Sequence, residues 1–306
     1  MRVNMAKQMI GVIGLGIMGG AMAEALLAAG HKVVGYDVAP SANARLRRAG
    51  GRALGSAGAV AQNADILITS LPSVAALHDA ALKIAGAKRG RRKEPLVVIE
   101  MSTLPVDDKE RAAVTLRNAG AAMLDCPISG TAARMNDRTW SIYVSGPTAE
   151  CERVDSILAV FADLRPYVGP FGHGTKMKFV ANHLVAIYNV AYGETMTFAR
   201  KMGLNSKRVY DLMANSPVLG TGVFKLRGAQ MVKRQYTPPT MKIDVWQKDM
   251  QVIGDMAKAV NCPLPLFTAC VPVYTTAMAM GLAKEDTAST CEVIGAMAGI
   301  REKKKR

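Results

Sequence analysis

Two rhythms of apolar residues divide the chain. In its first half, short apolar runs of strand length stand between turn residues: Met9–Gly14 (MIGVIG), Lys32–Tyr36 (KVVGY), Asp65–Ser70 (DILITS), Leu96–Met101 (LVVIEM), Ala122–Cys126 (AMLDC) and Ser141–Val144 (SIYV). Stretches of helix formers, such as Ala21–Ala29 (AMAEALLAA) ahead of Gly30, separate several of them. That alternation predicts an α/β fold with a parallel, doubly wound sheet, reaching to about residue 165. After Arg165–Pro170 (RPYVGP) the rhythm changes to long Ala-, Met- and Leu-rich segments at helical spacing. These predict an all-helical C-terminal domain. Its first helix should run from near Thr175 to Met202, followed by others at Ser206–Asn215, Ile243–Val260, Leu266–Met280 and Glu285–Ala298.

Composition narrows the class. The chain has 306 residues, half of them hydrophobic and 21% charged, which suits a globular protein of about two domains. The opening MRVNMAKQMIGVIGLG lacks the apolar stretch and small-residue cleavage site of a secretory signal, and nowhere do 18 apolar residues run uninterrupted. A cytoplasmic protein with no membrane partner is the expectation. Cys126, Cys151, Cys262, Cys270 and Cys291 form no CxxC pair and no metal-ligand spacing with the histidines, so they read as reduced core residues and no metal is expected.

The net charge of +15 invites a nucleic-acid reading. Its distribution argues against one. The runs Lys88–Glu94 and Arg301–Arg306 each carry five basic residues and one acidic, and so supply +8 of the total, with no interleaved aromatics to stack on bases. Solvated charge is the simpler account.

The turn after the first strand carries the clearest chemistry. In Gly14-Leu15-Gly16-Ile17-Met18-Gly19, the first glycine permits a tight turn, the second lets the backbone approach a pyrophosphate, and the third lets helix and strand pack closely. The following helix start offers N–H groups and a positive dipole end to phosphate. Asp37 ends the next strand, where a carboxylate accepts hydrogen bonds from ribose hydroxyls and repels a 2′-phosphate. The expected cofactor is therefore NAD rather than NADP, held by a Rossmann domain; Arg45 and Arg47 downstream are the features that stand against that preference.

A second motif lies in Gly174–His183 (GTKMKFVANH). Lys178 and Asn182 are four residues apart and share a helical face, whereas Lys176 is six residues from Asn182. His183 is turned about 100° from Asn182 and reads as structural.

The chain resembles the β-hydroxyacid dehydrogenase family, which includes 3-hydroxyisobutyrate dehydrogenase, tartronate semialdehyde reductase and L-threonate dehydrogenase. The resemblance spans essentially the whole chain. It rests on GLGIMG at Gly14–Gly19, Leu71-Pro72-Ser73, Met101-Ser102-Thr103, Asp125–Gly130 (DCPISG), the Lys178 to Asn182 segment, and Lys248-Asp249 followed by Pro263–Leu266 (PLPL). It implies a Rossmann domain over 1–170 and a helical substrate and oligomerisation domain over 171–306. It also implies NAD-dependent interconversion of a small 2- or 3-hydroxy acid and its oxo acid or semialdehyde, in a homodimer or homotetramer.

Roles follow residue by residue. Lys178 matches the catalytic acid/base; a free lysine has a pKa of about 10.4, so base chemistry near neutrality needs that value lowered by burial or a nearby positive charge. Ser129 and Gly130 match the clamp for the substrate carboxylate, where Thr131 stands in place of the family's second glycine. Asn182 matches the residue that orients the substrate hydroxyl, and Leu71, Pro72, Thr103 and Lys248 match positions that touch the cofactor. The HNGxEY-like run of the 6-phosphogluconate branch is absent, the chain reading Asn182-His183-Leu184-Val185. Two alternatives stay open, a non-catalytic dinucleotide-binding module and an imine reductase-like enzyme, and in both the family lysine is typically replaced.

Overall fold

An eight-stranded sheet organises the first part of the chain. The computed structural model describes residues 8–88, 90, 94–130 and 140–300, and the chain divides into two units, Met1–Lys178 and Phe179–Arg306. The strands of the sheet are β1 (Met9–Ile13), β2 (Lys32–Tyr36), β3 (Arg52–Ala53), β4 (Ile66–Thr69), β5 (Leu96–Glu100), β6 (Ala121–Asp125), β9 (Val144–Ser145) and β10 (Tyr167–Gly169), in the order β10-β9-β6-β5-β4-β1-β2-β3. Between them come α1 (Ile17–Ala28), α2 (Pro40–Arg48), α3 (Ala57–Asn63), α4 (Val74–Ala85), α5 (Val106–Asn118) and α6 (Thr148–Leu158). β2 and β3 build out from one side of β1, whereas β4 pairs with its other side. That reversal opens a crevice at the carboxyl ends of β1 and β4, the usual place for a ligand in such sheets.

Strand side chains alternate between two cores. Ile66, Ile68, Val97 and Ile99 join Met22, Leu26 and Leu158 in one cluster, while Leu67, Leu96 and Val98 join Val60, Leu77 and Leu116 in the other. A sheet covered on both faces needs apolar residues at odd and even positions alike, which is why the strands read as continuous apolar runs.

The far edge departs from the parallel expectation. Ser141–Val144 is not one strand: β8 (Ser141–Ile142) pairs antiparallel with β7 (Ile128–Ser129) outside the main sheet, and β9 pairs antiparallel with β6. A parallel return needs a crossover of a dozen or more residues, usually helical, whereas here the chain doubles back through the β7–β8 pair.

α7 (His173–Lys201) begins in the first unit and runs on into the second. The second unit continues through α8 (Ser206–Ala214), α9 (Gly222–Lys233), α10 (Ile243–Ala259), α11 (Pro265–Ala279) and α12 (Thr290–Met297). α9 was absent from the sequence expectation because Gly222 and Gly228 disguise its helical spacing; a Cβ on Gly228 would lie 2.9 Å from the Tyr210 ring. The expected helix Glu285–Ala298 is interrupted at its start. Asp286 accepts hydrogen bonds from Thr240 N (2.6 Å), Thr240 Oγ1 (2.7 Å) and Ala288 N (3.0 Å), so the chain first makes a short 3-10 turn at Thr287–Ser289. Arg227, on α9, sits 3.6 Å from the same carboxylate and donates to Asn189 of α7, whose amide donates to Tyr274 OH at 2.9 Å.

Four cysteines are buried, but Cys262 is exposed just beyond the C-terminus of α10, correcting its assignment to the core. No helix among the described residues is long and apolar enough to cross a membrane. Residues 89, 91–93 and 301–306, most of them basic, lie outside the described residues.

Candidate active site

The register of the sheet lines up the loops that matter. Ile13 pairs with Thr69, Thr69 with Glu100, and Glu100 with Asp125, so the carboxyl ends of β1, β4, β5 and β6 form one row. The glycine turn, Leu71-Pro72, Thr103 and Ser129-Gly130 all follow strands of that row. The structure therefore brings the glycine turn, Leu71-Pro72 and Thr103 to one carboxyl edge of the sheet, with Ser129 four residues beyond Asp125 in the separate β7–β8 pair.

The glycine turn has the shape its spacing predicts. Gly14 has φ of +85°, and a Cβ on it would stand 2.2 Å from Ser70 O. On Gly19 a Cβ would stand 1.8 Å from Gly14 O, so α1 can approach the strand only with glycine there. Gly16, the N-cap of α1, faces open space with nothing within 4 Å of where its Cβ would be. A cradle with room at Gly16, backed by the first N–H groups of α1, fits a dinucleotide pyrophosphate.

Asp37 is half-buried and turned toward this loop. Its Oδ2 accepts from Leu15 N at 2.6 Å and its Oδ1 from Ala39 N at 2.8 Å, which leaves lone pairs on both oxygens for further donors. Arg45 lies across the turn. It donates to Leu15 O and, at 3.0 Å, to Gly16 O, and stands 3.9 Å from Glu24.

Beneath the edge lies a polar network that escaped the sequence reading. Lys109 on α5 is fully buried. Its Nζ donates to Ser102 O (2.6 Å), Asp125 Oδ1 (2.8 Å) and Thr175 Oγ1 (2.9 Å), with Glu100 Oε1 at 3.8 Å. Three ammonium donors thus meet three acceptors. Glu100 accepts from Thr69 Oγ1 and from Ser102 N (2.7 Å), and Ser102 Oγ accepts from Leu71 N (2.7 Å). Asp125 reaches the first turn of α7, where Oδ2 accepts from Thr175 N and Oδ1 from Thr175 Oγ1, both at 2.7 Å; Ser145 Oγ accepts from Gly174 N at 2.9 Å. A carboxylate on the open N–H groups of a helix start also favours the helix dipole. The signal was present in the chain, because Lys109 falls on the same α5 stripe as buried Val106, Ala112 and Leu116. Cys126 beside it is inert: burial, then the Asp125 charge, push its thiol pKa well above the ordinary value.

Lys178 lies one turn beyond Thr175 and is buried, whereas Lys176 is exposed. Asn182 follows one turn later at 3% exposure. In the second unit its amide nitrogen donates to Asp249 Oδ2 at 2.9 Å, and Lys248 Nζ stands 3.2 Å from Asp249 Oδ1. Asn182 and Lys248 are thereby joined through Asp249, which entered the sequence reading only as the neighbour of Lys248. His183 stacks on Phe267 with ring centroids 5.6 Å apart, a packing role.

Ser129 is half-buried at the end of β7, and Gly130 is exposed. The Trp140 indole leaves no room for a side chain at Gly130, where a Cβ would come within 2.3 Å of the ring. Thr131 lies outside the described residues.

Known proteins match this chain over most of its length. Residues 9–169 match the family model described as the NAD binding domain of 6-phosphogluconate dehydrogenase, and residues 172–294 match the one described as NAD-binding of NADP-dependent 3-hydroxyisobutyrate dehydrogenase. The L-threonate dehydrogenase of Cupriavidus necator is 29% identical over 285 residues, covering 93% of this chain and 95% of its own. The 2-hydroxy-3-oxopropionate reductase of Escherichia coli K12 is 29% identical over 290 residues, covering 94% and 98%. A crystal structure of 3-hydroxyisobutyrate dehydrogenase from Salmonella typhimurium superposes with a TM-score of 0.81 at 27% identity, covering 94% of this chain and 99% of that one. The chain belongs to the β-hydroxyacid dehydrogenase family of oxidoreductases.

Proposed function

We propose that this protein is an NAD-dependent dehydrogenase that interconverts a small 2- or 3-hydroxy acid and its oxo acid or semialdehyde, with Lys178 as general acid/base. The observation that carries the reading is the burial of Lys178 on α7, one turn beyond Thr175, whose N–H is hydrogen-bonded to Asp125 at the carboxyl end of β6, in the same row of strand ends as β1. When bound, the nicotinamide supplies the hydride acceptor or donor. Lys178 Nζ takes the hydroxyl proton during oxidation and returns it to the carbonyl oxygen during reduction. Ser129 Oγ and the Gly130 N–H hold the substrate carboxylate. Asn182, fixed by Asp249, orients the hydroxyl, while Leu71, Pro72, Thr103 and Lys248 line the cofactor.

NAD is favoured over NADP because Asp37 faces the turn with lone pairs still open to ribose hydroxyls, where its charge would repel a 2′-phosphate. The curated relatives act on small hydroxy acids or the corresponding aldehydes by name, which supports the substrate class. A cytoplasmic location is part of the same reading. So is self-association as a homodimer or homotetramer through the helical unit, which exposes Phe198, Leu212, Leu266 and Met297; a monomeric mass by light scattering would count against it.

The test is NADH formation by the purified protein with 3-hydroxyisobutyrate, glycerate, L-threonate and 4-hydroxybutyrate, each with NAD and with NADP. Turnover of one acid with NAD is expected, and Lys178→Ala should cut its kcat by about 100-fold or more while NADH still binds. Near-normal turnover in that variant removes Lys178 from the role, and preference for NADP overturns the cofactor assignment.

A further inference from the structure

A buried ammonium is expensive to hold. Desolvation costs several kcal/mol per ion, and an apolar residue on the buried stripe of α5 would usually serve stability as well or better. Lys109 nevertheless occupies that stripe, with all three donors satisfied by groups from three different segments. Ser102 comes from the loop after β5 and holds Leu71 N through its hydroxyl; Asp125 ends β6, four residues before Ser129; Thr175 belongs to the first turn of α7. Each of those segments carries or adjoins a residue assigned above to cofactor, substrate or proton transfer.

One of these connections leads to Lys178. Thr175 and Lys178 stand at i and i+3 on α7, hence on one face. Thr175 is gripped twice, its N–H by Asp125 Oδ2 and its hydroxyl between Asp125 Oδ1 and Lys109 Nζ. A helix held at that point by main chain and side chain together is fixed in rotation as well as in height. The reach of Lys178 follows from both.

We propose that Lys109 is a positioning residue, acting through Thr175 and Asp125 to set the rotation of the first turns of α7 and so the placement of the Lys178 amine. This rests on the reading of Lys178 as the acid/base. Lys109 touches no reacting atom in this scheme. Its contribution is to catalytic geometry, where a shift of about 1 Å can cost as much as 100-fold in rate.

The test begins with Thr175→Val, which removes the hydroxyl held by Lys109 and leaves the Lys109–Asp125 pair in place. With the acid turned over fastest in the panel, kcat per NADH-binding site should fall about 10-fold while the KM for NAD stays close to wild type. Thr175→Ser should recover most of the loss. Lys109→Met should lower kcat at least as far, and adding Thr175→Val to it should lower kcat little further, since the two act as one unit. Hydrogen exchange read on a peptide covering residues 173–178 should quicken in Thr175→Val, with or without substrate. Wild-type kcat in Thr175→Val, a Ser variant no better than Val, or unchanged exchange would each overturn the proposal. Should Lys109→Met fail to fold, the Thr175 pair and the exchange measurement decide it. Lys178→Ala separates the two readings: if that variant turns over normally, the acid/base assignment falls, whereas a dead Lys178→Ala beside an unimpaired Thr175→Val removes only the positioning role.

Discussion

Lys109 and Arg227 are both buried cations set against carboxylates, one in each unit, yet they brace different things. Lys109 draws together strand ends and the start of α7, the same segments that hold the proposed site. Arg227 joins the middle of α7, through Asn189, to Asp286 and the turn at Thr240, which are connections between helices and loops of the second unit. Buried cations thus brace the strand ends beside the proposed site in one case and the helical core in the other. Where a buried ion pair sits relative to the loops decides which measurement it will move.

The comparison predicts opposite signatures. The largest effect on stability should come from Arg227→Met, which leaves Asp286 buried without its cation and should cost about 3–5 kcal/mol in denaturant unfolding. Turnover per NADH-binding site in the folded fraction should be unchanged. A parallel fall in kcat would break the distinction, because the second cluster would then also govern geometry.

A smaller effect should appear in acid. Burial alone would raise the Asp286 pKa, but the Arg227 charge and the hydrogen bonds from Thr240 and Ala288 outweigh it and hold the value below the ordinary carboxylate range. A carboxylate depressed in the folded state contributes stability that is complete above its unfolded pKa and is lost as pH falls through the folded one. Unfolding midpoints should therefore drop below about pH 4 in the native chain. In Arg227→Met that acid-dependent loss should shrink, since the charge chiefly responsible for the depression is gone. Equal acid losses in the two proteins would take the Arg227–Asp286 pair out of the account.

What could be read from the chain follows the range of the interactions involved. The glycine turn was legible because its constraints are local: Gly14, Gly16 and Gly19 act within one turn and one helix start. The α/β alternation was legible because strands covered on both faces leave uninterrupted apolar runs. Lys178 could be preferred over Lys176 from its spacing to Asn182 alone, and the two lysines differ in burial in the same sense. Lys109 was missed because its partners are distant, Asp125 by 16 residues and Thr175 by 66, and a lysine in VDDKERAAVTLRN looks like ordinary surface charge. The antiparallel β9 was missed for a related reason, since strand direction is set by how the chain returns and not by the strand's own residues.

The indole under Gly130 bears on how the proposed substrate clamp could vary. A methyl group at position 130 would collide with Trp140, itself wedged near Phe161 with ring centroids 6.4 Å apart, so the position is closed to variation unless the wall behind it is rebuilt. Any substitution at Gly130 would have to displace the Trp140 ring. Under the proposed reading Ser129, half-buried beside it, is the clamp position with more room to vary.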